Sequence, residues 1–238
     1  MASEKPEVLD LLQELGRDFQ ARFGTWFVGG VALGGIQLGL TIASVVFMYA
    51  AMIGGMVVGI SAGDEDLMSL GMLGGAFLGI SIMIVANLGV LTPMQASLTR
   101  ALVDHLEGGP ELTISSPFAT ATQDLPKVYG YVLLNMLAVV VLMPFCYLPA
   151  LVFIFFTTFA WFRVVLEGEG PVTAILWSIG HVKEDIPWHL AFAGLLFAML
   201  FILQYIPIVG PLLAPSVTMG WGVYAYRRSV HGTAALTA

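Results

Sequence analysis

Charge is what this 238-residue chain most lacks. Only 11% of its residues are Asp, Glu, Lys or Arg, against 58% hydrophobic. A soluble domain carries about 25% charged residues, so most of this surface cannot face water. The few charges are also segregated. Residues 25–63, 67–99, 128–162 and 190–226 contain no Asp, Glu, Lys, Arg or His. A membrane crossing needs about 20 apolar residues, and each run exceeds that. Cysteine is nearly absent too. Cys146 stands alone, which excludes an internal disulfide. Its apolar neighbours imply packing rather than a reactive thiolate. With a net charge of −7 there is no basic surface for nucleic acid.

What is present reads as an all-α, polytopic transmembrane bundle. The opening residues, mixed and acidic, do not read as a signal peptide. Residues 1–24 form an amphipathic arm. Val8, Leu11, Leu12, Leu15, Phe19 and Phe23 recur at spacings of three and four. Ser3 and Pro6 suit its start and Gly24 its stop. Its polar face is acidic, so docking onto the chain's own loops or a partner is expected over attraction to anionic lipid.

Residues 25–99 form a Gly-rich hairpin. The first span, 25 to about 60, is too long for one crossing; it tilts, projects, or breaks near Gly54-Gly55. The turn is Gly63-Asp64-Glu65-Asp66, and Pro93 ends the second span. Two further runs hold Pro144-Phe145-Cys146-Tyr147-Leu148-Pro149 and Pro207-Ile208-Val209-Gly210-Pro211. A proline pair inside an apolar run breaks a helix, so each is read as a turn. The expectation is six spans in three hairpins.

Residues 100–238 are a repeat. Shifted by 54 positions, Ser116–Val128 lies on Gly170–Val182, Pro117 on Pro171, and the apolar stripe Phe118, Ala121, Leu125, Val128 on Val172, Ile175, Ile179, Val182. Surface helices are therefore expected over 117–127 and 171–183. Leu106-Glu107-Gly108-Gly109-Pro110 is similar to Leu166-Glu167-Gly168-Glu169-Gly170-Pro171. The hairpins close with Arg100, with Trp161-Phe162-Arg163 and with Tyr224-Ala225-Tyr226-Arg227-Arg228. In this scheme all nine Lys and Arg lie on one side of the membrane. Basic bias in short loops marks the cytoplasmic side, so both chain ends are expected there.

These landmarks, with Ala174–Ser178, Pro207–Pro211 and Tyr226-Arg227 matching best, resemble a group of uncharacterised bacterial membrane proteins. The group includes the membrane domain attached to some glycerophosphodiester phosphodiesterases. The resemblance covers residues 93–230. It implies a bacterial inner-membrane location and carries no activity with it, because the soluble phosphodiesterase domain is not in this chain.

Candidate chemistry is sparse. No ionisable residue sits near the middle of a span, which argues against ion coupling and intramembrane acid–base catalysis. Gln37, Asn87, Asn135, Thr157, Thr158 and Gln204 are the polar residues within spans, read as interhelical hydrogen bonding. Met48, Met52 and Met56 form a stripe that reads as packing over Cu(I) binding. His181 with Glu184 and Asp185 reads as a solvated loop rather than a metal site. Asp64-Glu65-Asp66 lacks the pattern of a calcium loop. No cofactor or metal is expected. Gly30/Gly34, Gly35/Gly39 and the ridge Gly71, Gly75, Gly79 are four residues apart. Small residues so spaced let helix backbones approach closely, within the hairpin or between subunits. The function expected is non-enzymatic: a scaffold or accessory subunit in contact with lipid and with a like subunit or membrane partner. The alternative is a channel or carrier for a neutral or lipid-like solute.

Overall fold

The computed structural model describes residues 8–21, 23–118, 124–145, 147–206 and 209–231. The arm's Ser3 and Pro6, and Cys146, lie outside them. The described residues are mostly helical, with no strand among them. Five segments are long and apolar enough to cross a membrane: Trp26–Ala62, Glu65–Leu106, Leu125–Leu142, Leu148–Glu167 and Ile186–Gln204. The sixth expected span coincides with Val209–His231, which is not one of the five. The chain divides into two compact units, residues 35–91 and residues 1–34 with 92–238.

Residues 35–91 lie on α2 (Phe23–Ala62), α3 (Glu65–Ala86) and a π-helical turn, Asn87–Leu91. Gly54-Gly55 does not break α2. The turn falls where its residues require. Gly63 takes φ +65, a left-handed conformation that costs glycine little. Asp64 then caps α3, its Oδ1 accepting from the Asp66 and Leu67 N–H at 2.9 and 3.0 Å.

Pro93 does not end the second span. Helix α4 (Thr92–Leu106) continues directly from the π-helical turn. A π-turn widens the helix by one residue. That widening relieves the clash a proline ring makes with the preceding turn's carbonyl.

In the other unit, α5 (Leu125–Leu142), α6 (Leu148–Thr157), α7 (Ala160–Glu167), α8 (Pro171–Glu184), α9 (Ile186–Gln204) and α10 (Val209–His231) follow. Two expectations change here. The segment 117–127 is not one helix among the described residues: Ser116–Phe118 is a short 3-10 turn, residues 119–123 lie outside them, and Leu125 to Lys127 open α5. Pro126, not Pro117, occupies the helix's first turn. Its counterpart α8 does run over the expected residues, with Pro171 first. The chain also turns earlier than 207: α9 ends at Gln204, and Gly210 and Pro211 already belong to α10.

The fourth of the span-length segments is interrupted. Between α6 and α7 the helix breaks at Thr158-Phe159. Thr157 and Thr158 donate to carbonyls of Phe153, Ile154 and Phe155 in their own helix, a bonding pattern that bends helices. Ser178 of α8 takes up the freed backbone groups. Its hydroxyl donates to Phe156 O at 2.8 Å and accepts from Phe159 N at 3.2 Å. Ala174, one turn before, is fully buried with Val128, Tyr131, Ala160, Val164 and Val165. The Ala174–Ser178 pair thus has a physical role: a small residue for close approach and a hydroxyl for the break. Ser178→Ala leaves two buried backbone groups unpaired and should cost about 1–3 kcal/mol. A melting curve of the detergent-solubilised protein should show it, with Ser178→Thr the milder change.

The arm's described part, α1 (Val8–Ala21), packs on α9 and α10. Arg228 Nη2 donates to both Glu14 carboxylate oxygens at 2.6 and 2.5 Å. One acid of that face, Glu14, thus meets a cation of the chain itself, on helix α10 and not on a loop.

Candidate functional site

Several of the charged residues that the runs exclude gather around α4, α7 and α10. Arg100 of α4 donates through Nε to Val165 O at 2.8 Å and through Nη2 to Asp124 at 2.9 Å. Lys127 sits 3.3 Å from the other Asp124 oxygen and donates to Gly168 O at 2.5 Å. The hydrogen bond from Arg100, then that from Lys127, holds the Asp124 carboxyl below its ordinary value. Arg163 of α7 pairs with Glu167 at 3.0 Å and Glu169 at 2.5 Å, and its guanidinium lies 4.3 Å from the centre of the Trp177 ring. On α10, Arg227 pairs with Glu107, and Tyr226 donates its hydroxyl to Glu167.

The duplicated Leu-Glu-Gly segments explain how two of these acids arrive. α4 ends at Leu106 and α7 at Glu167. Gly108 and Gly168 then take φ +84 and +67, the left-handed stop in which glycine is favoured. Each stop leaves a glutamate, Glu107 or Glu167, at the end of its helix, facing α10. The pairing itself, Glu107 with Arg227, joins residues too far apart in sequence for any spacing rule to reveal.

Between these helices lies a cavity of about 350 Å³. Arg100, Asp104, Glu107, Glu167, Tyr226 and Arg227 give it a charged wall, and Val103 and Leu166 its apolar part. No sequence signal marked the cavity.

A second cluster adjoins through Tyr226. Phe159, fully buried, has His189, Phe192, His181 and Tyr226 ring centres at 5.1, 5.7, 5.9 and 6.1 Å. His181 is thus not in a solvated loop. It lies on α8, stacked on Trp177 at 4.8 Å, with Glu184 3.8 Å away. The misreading came from the nearby Lys183-Glu184-Asp185 charges; His181 itself sits on the apolar face. Among the described residues no group of three or more His, Cys, Asp or Glu is placed to hold a metal ion. Asp64, expected in a turn, caps a helix.

The glycines of the first hairpin differ in what they meet. Gly71 lies against the Gly55 backbone, Gly75 against Ala51 and Met52, and Gly79 against Met48, all within the hairpin. Of the methionine stripe, the Met48 side chain lies over Gly79. Gly30 and Gly34 face Ser216 and Leu212 of α10. Gly35 is half-buried. Gly39, Gly54, Gly74 and Gly89 have no atom within 4 Å of an added methyl.

No protein-family model matches the chain, and neither a curated protein nor a solved structure shows significant similarity to it.

Proposed function

We propose that this chain is a non-enzymatic scaffold or accessory subunit of a bacterial inner-membrane assembly, with six spans in three hairpins and both chain ends in the cytoplasm. One observation carries the reading. The hairpin of residues 35–91 satisfies its own packing with Gly55, Gly71, Gly75 and Gly79, yet Gly39, Gly54, Gly74 and Gly89 stay open. They lie among large exposed apolar side chains such as Leu73 and Phe77. Apolar side chains alone suit lipid. Open small residues among them suit the close approach of another helix, because association in lipid depends on packing and not on hydrophobic force. The one-sided distribution of Lys and Arg supports the cytoplasmic placement of the ends.

A carrier for a neutral or lipid-like solute has less support. It needs polar groups free to line a path. Asn135 instead bonds to the Tyr131 hydroxyl at 3.0 Å, and Thr157 and Thr158 bond to their own helix.

Native mass spectrometry from mild detergent tests the scaffold. The 25.5 kDa chain should appear in a heavier complex, with itself or with another membrane protein. Gly74→Leu should release it as a folded monomer. A monomer alone in the unsubstituted protein defeats the reading.

A further inference from the structure

The cavity between α4, α7 and α10 has more hydrogen-bonding capacity than its own residues use. Arginine carries five N–H donors in a fixed fork. Arg227 engages Glu107 through Nη1, which leaves Nη2; its Nε has no hydrogen-bond partner but is buried out of a ligand's reach. Arg100 uses Nε and Nη2, which leaves Nη1. Glu107 is taken by Arg227, and Glu167 by Arg163 and the Tyr226 hydroxyl. Asp104 has no ion-pair or hydrogen-bond partner for its carboxylate among the described residues and lines the same cavity. The wall therefore offers unused cationic donors and an unused anionic acceptor together.

That combination selects a ligand class. A simple anion would meet the arginines but also three carboxylates. A simple cation would meet Asp104 but also two guanidinium groups. A molecule bearing both charges satisfies both walls, and charge-assisted hydrogen bonds are the strong ones. The cavity, about 350 Å³, lies at the small end of the range for small-molecule sites, about 300–1,000 Å³.

We propose that this cavity binds a compact zwitterion, with its primary ammonium on Asp104 and its anionic oxygens on Arg100 and Arg227. The same chemistry occurs in free amino acids and in an aminated phospholipid headgroup. The site is independent of the scaffold reading, since neither its residues nor its test involves assembly.

The full chain is placed in nanodiscs of phosphatidylglycerol and titrated calorimetrically with straight-chain amino acids, from glycine to ε-aminocaproate. The series covers a graded range of separations between the ammonium and the carboxylate. At least one member should bind, and butylamine or butyrate alone should bind weaker by about tenfold or more, the worth of one charge-assisted hydrogen bond. Asp104→Asn, an isosteric change at an exposed position, should weaken the best member by a similar factor and leave the unliganded melting temperature unchanged. Repeating the titration in phosphatidylethanolamine separates the sources. Equal affinity in both lipids indicates a free solute; weaker affinity indicates a headgroup already in the site. The proposal is overturned if no member binds in phosphatidylglycerol. It is also overturned if amine or acid alone binds as tightly as the zwitterion, or if Asp104→Asn binds unchanged.

Discussion

Gly75→Leu should lower both the yield of folded protein and its melting temperature, with particle size unchanged. A Cβ built at Gly75 would lie 2.5 Å from Met52 N and 2.8 Å from the Ala51 carbonyl carbon. Real contacts are never so short, and the obstacle is backbone, which cannot rotate aside. The neighbouring helix must move, and with it go many small dispersion contacts along the ridge. Overpacking costs about 1–3 kcal/mol and occasionally more. The contrast with Gly74→Leu is informative. Gly74 faces open space, so its substitution should leave melting unchanged and act on assembly. If Gly75→Leu melts like the parent protein, the close approach of α2 and α3 is not what holds the hairpin.

Phe159→Ala should be the most destabilising single truncation in the larger unit. The ring is wholly buried where the fourth span breaks, and five aromatic or imidazole rings surround it, from His189 at 5.1 Å to Phe162 at 6.4 Å. Rings from α7, α8, α9 and α10 thus share one neighbour. Truncating a buried Phe to Ala typically costs about 3–5 kcal/mol, because the cavity left behind closes only in part. Thermal melting followed by near-ultraviolet circular dichroism reads both the loss and the loosened aromatic packing. Phe159→Leu, which refills part of the volume, should fall between. A melting temperature equal to the parent's would mean that the ring cluster does not organise these helices.

These two positions also show what the sequence reveals. The helical membrane class follows from the charge-free runs, and the ridge at Gly71, Gly75 and Gly79 follows from spacing alone. Which helix the ridge meets does not, since spacing names a face and not its partner. Gly63 to Asp66 could be read as a turn because turn chemistry is local, while the cap that Asp64 makes came only with the structure. Pro93 misled for a local reason as well: the rule that proline ends a helix assumes an α-helical preceding turn, and Asn87–Leu91 is π-helical. Pro117 looked like a helix start because its repeat partner Pro171 is one, yet Pro126 opens α5. Phe159 carried no signal, being one aromatic in an aromatic run. The charged site was half legible. The Leu-Glu-Gly duplication marked where Glu107 and Glu167 sit, while the cavity and the Glu107–Arg227 pair arise only when α4 and α10 meet.

Labelling of introduced cysteines in intact bacterial cells tests most directly the claim that the charged helix ends share the cytoplasmic face. With Cys146→Ser as background, single cysteines replace Glu65 in the first hairpin's turn, Tyr205 in the last, Lys127 in the first turn of the third span, and Ala238. A membrane-impermeant maleimide should label the first two, and should reach Lys127→Cys and Ala238→Cys only after the cells are opened. Labelling of Lys127→Cys or Ala238→Cys in intact cells, with Glu65→Cys protected, contradicts the account.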